Sequence, residues 1–452
     1  MLLATSVRAE GPYSNFLIGQ RSPGLGGAYV AVADDTSATF HNPAGVAGIT
    51  ESSAGASVWT LISGNRTLDP GYVTELGPAP LEHAASRSLP LFLAAVVKFG
   101  KRNRRRVRRH AVGASIVHPH SDAYRFVTQL VGDGDEAADR LEVRHDDRSA
   151  WYGLSYGYLF KPGVSLGASL YYSRRSLSHD EVEIQARTSQ SVSAPDLQFT
   201  RALSLDAGAD HLIARVGTLM DLTDTLRLGM MFQLPGIEVS NDARAEGLSS
   251  VAGGAGPTTL QTFDVDGMGA NLQVPVELRA GLAWRPAKAT LLSLDISGFG
   301  PVGDAGNPLP LVERRGKTVE LGAFVPEATY REPTLHGALG FEYVVLDKVP
   351  LRGGVFYERS SAPDIPDTSD VHVRDQFDTL GTSIAIGIPA WGYDMSFALT
   401  ALFENGQGLG LSRSNPGAPA AYAAADGSAQ TYIIHIGGAK SIAKGLVKAI
   451  VE

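Results

Sequence analysis

Residues 18–49 read IGQRSPGLGGAYVAVADDTSATFHNPAGVAGI. Small residues occupy nearly every place where packing would be close, with glycine at 19, 24, 26, 27, 45 and 48. Two turn signals bound the stretch, Ser22-Pro23-Gly24 and Asn42-Pro43-Ala44-Gly45; Asn before Pro favours turn initiation, and Pro43 fixes its own φ and removes a donor. Between them Ala28 to Ala33 is short and apolar, and Asp34-Asp35-Thr36-Ser37 offers an N-cap for a helical turn running to about His41. The stretch reads as a compact element made to fit inside something larger. A phosphate cradle built on Gly24-x-Gly26-Gly27 is the weaker reading, because no strand precedes it and Tyr29 stands where a dinucleotide fingerprint needs its third glycine.

What surrounds it is strand. From Ser52 onward the dominant signal is alternation with period two, clearest at Trp151 to Phe160, where Tyr152, Leu154, Tyr156, Tyr158 and Phe160 share one face and Gly153, Ser155 and Gly157 the other. After Lys161-Pro162-Gly163 the partner strand puts Val164, Leu166, Ala168, Leu170 and Tyr172 on its apolar face. Read this way, about fourteen strands begin near Ala54, Leu89, His110, Ser149, Gly163, Ser204, Thr225, Asn271, Ala289, Thr334, Val349, Phe377, Tyr393 and Gln430. Brief turns such as Asp221-Leu222-Thr223-Asp224 and Leu346-Asp347-Lys348 rotate with long polar loops, for example Arg175 to Leu203 and Phe299 to Pro333. That rotation is the outer-membrane arrangement of short periplasmic turns and long extracellular loops. Leu335 to Val345 and Met395 to Phe403 each carry an uncharged apolar face, whereas Glu277, Arg279, Asp295, His336, Glu342, Arg352, Glu358 and Glu404 lie on opposite faces and predict a wet or filled lumen. Arg279 and Arg352 either pair with neighbouring carboxylates or receive a ligand carboxylate. A strand in a bilayer must pair all its polar groups, and only a closed barrel leaves no edge.

Composition agrees. Of 452 residues 51 are Gly, none is Cys, 19% are charged, and no uninterrupted apolar window is long enough for a transmembrane helix. The net charge of −8 argues against nucleic acid. Residues 1–9 (MLLATSVRA) read as the remnant of a secretory signal, 10–50 as the internal element, 51–438 as the barrel, and 439–452 as a periplasmic tail. In that tail Lys440, Lys444 and Lys448 interleave with Ile442, Leu446 and Ile450, an amphipathic basic helix suited to the periplasmic leaflet or a periplasmic partner. The basic run Lys101 to Arg109 (KRNRRRVRR) falls between the second and third strands, facing anionic headgroups or simply solvent.

Gly26-Gly27-Ala28-Tyr29-Val30-Ala31-Val32-Ala33-Asp34-Asp35, followed by Asn42-Pro43-Ala44-Gly45, resembles the N-terminal hatch of the FadL-type outer-membrane transporters, including its Asn-Pro-Ala motif. The resemblance implies a fourteen-stranded barrel in the bacterial outer membrane, plugged by the hatch, that passively admits long-chain fatty acids and other hydrophobic molecules. It implies hatch roles for Gly24, Gly26, Gly27, Asp34, Asp35, Asn42, Pro43, Ala44 and Gly45, and a lateral exit beside a kinked third strand, with Gly113 and Pro119 as kink candidates. The partners implied are a hydrophobic small molecule, outer-membrane lipid and lipopolysaccharide. The alternative is a non-transporting barrel that serves as a scaffold for secretion, motility or surface attachment.

No catalytic constellation, metal set or cofactor motif is expected. Gly153-Leu154-Ser155-Tyr156-Gly157 matches the nucleophile pattern of hydrolases, but it lies mid-strand in clean alternation and not on a sharp strand-to-helix turn. His118-Pro119-His120 with Asp122 lacks the spacing of a closed metal site.

Overall fold

The computed structural model describes residues 17–102, 108–132, 137–188, 196–253, 257–303, 311–314, 329–369, 375–390, 392–416 and 421–441. The signal-like 1–9, the core of the basic run at 103–107 and the tail beyond 441 lie outside them. The strands are β1 (Ser53–Thr74), β2 (Gly77–Arg102), β3 (Arg108–Val131), β4 (Ala137–Lys161), β5 (Val164–Arg187), β6 (Leu197–Asp221), β7 (Leu226–Gln233), β8 (Ile237–Gly253), β9 (Thr259–Ala270), β10 (Glu277–Ala287), β11 (Thr290–Phe299), β12 (Val312–Arg314), β13 (Thr334–Val345), β14 (Val349–Glu358), β15 (Thr368–Ser369), β16 (Gln376–Ala390), β17 (Tyr393–Arg413) and β18 (Ala421–Ser441).

The sheet closes on itself. Antiparallel ladders run from β1 through β2, β3, β4, β5, β6 and β7 to β10, β11, β13, β14, β16, β17 and β18. β18 then returns to β1 with Ser53 opposite Ser441. β8 continues the ladder of β6 above β7, and β9 and β12 extend it. One parallel contact, β1 with β17 at Tyr72–Leu411, makes the barrel mixed.

β4 explains why the barrel is so tall. Its 25 residues span about 80 Å at the usual rise, whereas a strand crosses hydrocarbon in about ten residues. Along its outer face Arg140, Glu142, Arg144, Asp146 and Arg148 come first, then Ala150, Tyr152, Leu154, Tyr156, Tyr158 and Phe160. The lower half is an apolar belt, with Leu154 71% exposed, which only lipid makes tolerable. In the upper half the phase inverts, and Leu141 and Val143 turn inward to join Leu68, Tyr72, Leu81, Tyr124 and Phe126 in a core like that of a soluble protein.

This inversion corrects the strand starts near Leu89, Ser149, Ser204 and Gln430, which lie 7 to 12 residues inside strands that begin at Gly77, Ala137, Leu197 and Ala421. The stretch from Arg175 to Leu203, expected as a loop, is β5 and β6 at 175–187 and 197–203. Between the strands expected near Thr225 and Asn271 lie β8 and β9, and the next wall strand, β10, begins at Glu277. The cause is local: apolar residues face out against lipid and in against the upper core, so a search for one continuous apolar face stops at the boundary.

Inside the lower half lies the N-terminal segment, a 3-10 turn (Ser22–Leu25) and two single-turn helices, α1 (Ala38–His41) and α2 (Gly45–Gly48), almost wholly buried. Its seat is a row of glycines. Gly157 on β4 pairs with Gly167 on β5, which pairs with Gly217 on β6. A Cβ at Gly157 would stand 2.6 Å from the Ala47 nitrogen, at Gly167 2.2 Å from the Pro43 carbonyl, and at Gly217 2.1 Å from the Asn42 side chain. The same serves Gly354 on β14, whose Cβ would stand 2.2 Å from the Gly26 nitrogen. Only residues without a side chain let the segment's backbone lie on the wall.

Gly167→Val therefore overpacks the seat, and we expect a loss of about 1–3 kcal/mol, read as a lower temperature for loss of the compact barrel band in denaturing gels. Gly337→Val, where an added Cβ meets nothing within 4 Å, leaves that temperature unchanged.

Candidate functional site

The segment is held by polar contacts at three places. Asn42 is the first: its Nδ2 donates to the carbonyls of Val30 and of Thr218 on β6, both at 3.0 Å, and its Oδ1 accepts the Ala44 N–H at 3.1 Å. One side chain thus closes the Asn-Pro-Ala turn and ties it to the wall. The second is Asp295 on β11, whose Oδ2 accepts the N–H groups of Tyr29 and Val30, each at 2.7 Å.

The third is a chain of charges. Arg21 donates to Asp34 within the segment (2.6 Å) and to Glu342 on β13 (2.6 Å), and Glu342 accepts Arg352 of β14 at 2.7 Å. Burial works against the Asp34 carboxylate, yet Arg21 beside it holds its pKa below the usual range. Asp35 turns back to accept Ser37 N–H and Oγ, and burial raises its pKa. The chain borders a vestibule of about 390 Å³ at the end of the barrel where the short turns lie, lined also by Lys348, Pro389 and Asp394.

Above the segment is a cavity of about 70 Å³ walled by Phe40, Trp151, Phe299, Val274 and Pro275, with Arg215, Gln233, Glu277 and Arg279 among its polar groups. Arg215 lies over the rings of Phe40 (4.1 Å) and Trp151 (4.9 Å), donates to the Phe40 carbonyl at 2.7 Å, and meets Glu277 at 3.2 Å. Arg279 reaches the same Glu277 at 2.5 Å. Two guanidinium groups share one carboxylate, which leaves the cavity with an excess positive charge.

Of the residues singled out from sequence, Arg279 is therefore at the cavity but engaged by Glu277, while Arg352 is in the charge chain on the other side of the segment. Gly24 and Gly26 lie against β14 and β16, Gly27 faces Leu17 of the segment itself, and the Gly26 N–H donates to Ser383 at 3.1 Å. Gly45 packs on the Ala33 carbonyl, 2.0 Å from where its Cβ would be. Gly113 stands in unbroken pairing with Val96 and Ser155, its missing side chain leaving room for Thr39. Pro119 stands where the β3–β4 register slips between Val117 and His120, because it brings no N–H to the ladder. The β2–β3 pairing ends at the same level, Phe92 opposite Val117. Beyond it the Arg125 N–H donates to His83 at 3.0 Å, a side-chain link between the two strands.

The slip turns His120 toward Asp147, 3.5 Å away. Ser155 donates or accepts with Ser169 at 2.7 Å, and Ser169 donates to the Thr39 carbonyl. The nucleophile pattern is thus part of the segment's seat.

Arg21, Phe40, Trp151 and Arg215 went unselected from the sequence. The signal for Arg215 was a lone charge two residues before Gly217, on the inner face of an otherwise uncharged run; Arg21 had none beyond its place beside the first turn.

No family model matches the sequence, and no curated protein matches it. Solved structures do. A FadL homologue of Pseudomonas aeruginosa superposes with a TM-score of 0.63 at 14% identity, covering 96% of this chain and 100% of the other. The Pseudomonas putida toluene transporter TodX gives 0.59 at 14% identity over 97% and 99%. The Ralstonia pickettii toluene transporter TbuX gives 0.56 at 15% identity over 94% and 98%. The chain has the fold of FadL-type outer-membrane transporters.

Two measurements test the contacts of the N-terminal segment. Glu342→Gln leaves Arg352 without its carboxylate and Arg21 with Asp34 alone, and breaking such a buried pair costs about 3 kcal/mol; proteolysis of the N-terminal segment in the folded barrel should quicken accordingly. His41 gives a pH signature. Its Nε2 donates to the Ile18 carbonyl at 2.8 Å, and burial pushes its pKa down to about 3 from an ordinary 6.5. The folded segment thus keeps the imidazole neutral, and its stability is whole above pH 6.5 and lost as pH falls toward 3. Between pH 7 and pH 5 we expect amide-exchange protection of Ala38–His41 to drop by about 2 kcal/mol. His41→Gln should lack that drop.

Proposed function

We propose that this chain, with the fold of the FadL-type transporters as premise, is a passive channel for hydrophobic small molecules in the bacterial outer membrane. In this reading fourteen strands form the spanning ring, with β8, β9, β12 and β15 as extracellular extensions, and residues 10–50 act as the hatch. The observation that carries it is the aromatic-walled cavity immediately above the segment, beside the β3 slip.

A ligand enters from the extracellular side and stacks among Phe40, Trp151 and Phe299. Arg215 and Arg279 attract a carboxylate where the ligand has one, and the apolar walls take its body. One exit lies sideways past Pro119, where β2 and β3 cease to pair; the other leads into the vestibule when the Asn42-Pro43-Ala44 turn shifts. Outer-membrane lipid and lipopolysaccharide surround the apolar belt, and the basic turn near Arg108 and the tail after Ser441 face the periplasm and its partners.

A second reading, a barrel scaffold with a permanent filling, draws on the ion pairs that fix the segment, above all Arg21–Glu342. Uptake decides between them. Cells expressing the chain behind a complete signal peptide should take up radiolabelled toluene or a long-chain fatty acid faster than cells without it, and a variant altered at Asn42, Pro43 and Ala44 should change the rate. No uptake of either by correctly inserted protein would favour the scaffold.

A further inference from the structure

A second chamber lies below the first. Leu17, Gly26, Gly27 and His41 of the segment and the inner faces of β10, β11, β13 and β14 line it. Phe40, Arg279 and Phe299 line both chambers and form the partition between them. The wall of the lower chamber differs in kind: Asp295, Ser297, His336 and Glu358 face it alongside Phe299 and Phe356.

Its hydrogen-bonding capacity is lopsided. Asp295 is 3% exposed, and while its Oδ2 is occupied by the Tyr29 and Val30 N–H groups, its Oδ1 is buried without a partner. The His336 Nε2 lies 3.3 Å from the Arg359 carbonyl, an acceptor only, so Nε2 carries the proton and Nδ1 presents a lone pair. Glu358 Oε1 is 3.9 Å from that Nδ1, beyond hydrogen-bond distance. The cation at hand, Arg279, has its Nε and Nη2 on Glu277 at 2.6 and 2.5 Å. An orphaned buried carboxylate oxygen is costly and is relieved by any donor that arrives.

We propose that the lower chamber is a second subsite, selective for apolar molecules that carry a hydrogen-bond-donating head, a hydroxyl or an amine, over bare hydrocarbons of the same skeleton. The proposal rests on the transport reading. The head donates to Asp295 and Glu358, and the body lies against Leu17, Phe299 and Phe356. Because the other oxygen of Asp295 holds the segment's backbone, the carboxylate that recognises the ligand is also the one that fixes the hatch.

The test compares equilibrium binding of radiolabelled p-cresol, p-toluidine and toluene to the purified full chain in detergent; the first two each differ from toluene by one donating group. We expect p-cresol to bind about tenfold more tightly than toluene, the worth of one hydrogen bond, with p-toluidine preferred in the same sense. Glu358→Gln and Asp295→Asn should each bring the ratio toward one. Glu358→Gln does not touch the segment and keeps the test decisive where Asp295→Asn does not fold. Equal binding of the probes, or a preference unmoved by Glu358→Gln, overturns the subsite and leaves the transport reading standing. Binding of none of them, with no uptake by cells, overturns both.

Discussion

A backbone in hydrocarbon has no water to satisfy its N–H and C=O groups, and the rest of this molecule follows from that constraint. It forces the ladders to close, with β18 returning to β1. Closure creates a lumen, and a lumen of this size must be filled or wetted. The filling here is the chain's own N-terminal segment, whose irregular backbone is tolerable at membrane depth because the wall and its own side chains satisfy it: Asp295 accepts two of its N–H groups, and Asn42 caps two carbonyls.

The seat and the clamps do different work. Gly157, Gly167 and Gly217 let the segment approach, which sets the fit; Asn42, Asp295 and the chain from Asp34 through Arg21 and Glu342 to Arg352 set its position. Charges buried in this way carry a desolvation cost that mutual pairing only offsets. Their value is geometric, since each acceptor fits one placement of the segment. Above the membrane the same strands switch to ordinary protein logic, and Glu183 on β5 meets Arg413 on β17 at 2.8 Å across the lumen, tying opposite walls together where lipid no longer confines them.

Much of this was legible in the residues. Alternation at Tyr152 to Phe160, the turns at Pro162-Gly163 and Leu346-Asp347, and charges kept to one face all act through the strand's own period of two. What escaped was the upper half of the barrel, because the alternation at β4 inverts between Arg148 and Ala150, and a face that is apolar below becomes charged above. The glycines of the wall were seen as small inward residues; that three of them form one row depends on the registers of two hairpins.

The sequence by itself determined a closed antiparallel barrel, its apolar belt and a small-residue element bound for the interior, because strand alternation and turn chemistry are properties of neighbouring residues. The tertiary structure alone decided that Glu277 is shared by Arg215 and Arg279, that Glu342 joins Arg21 to Arg352, and that one oxygen of Asp295 holds the segment while the other is left bare. Those partners lie as far as 321 residues apart along the chain. Ladder register and the filling of the lumen bring them together, and neither is written in any local pattern.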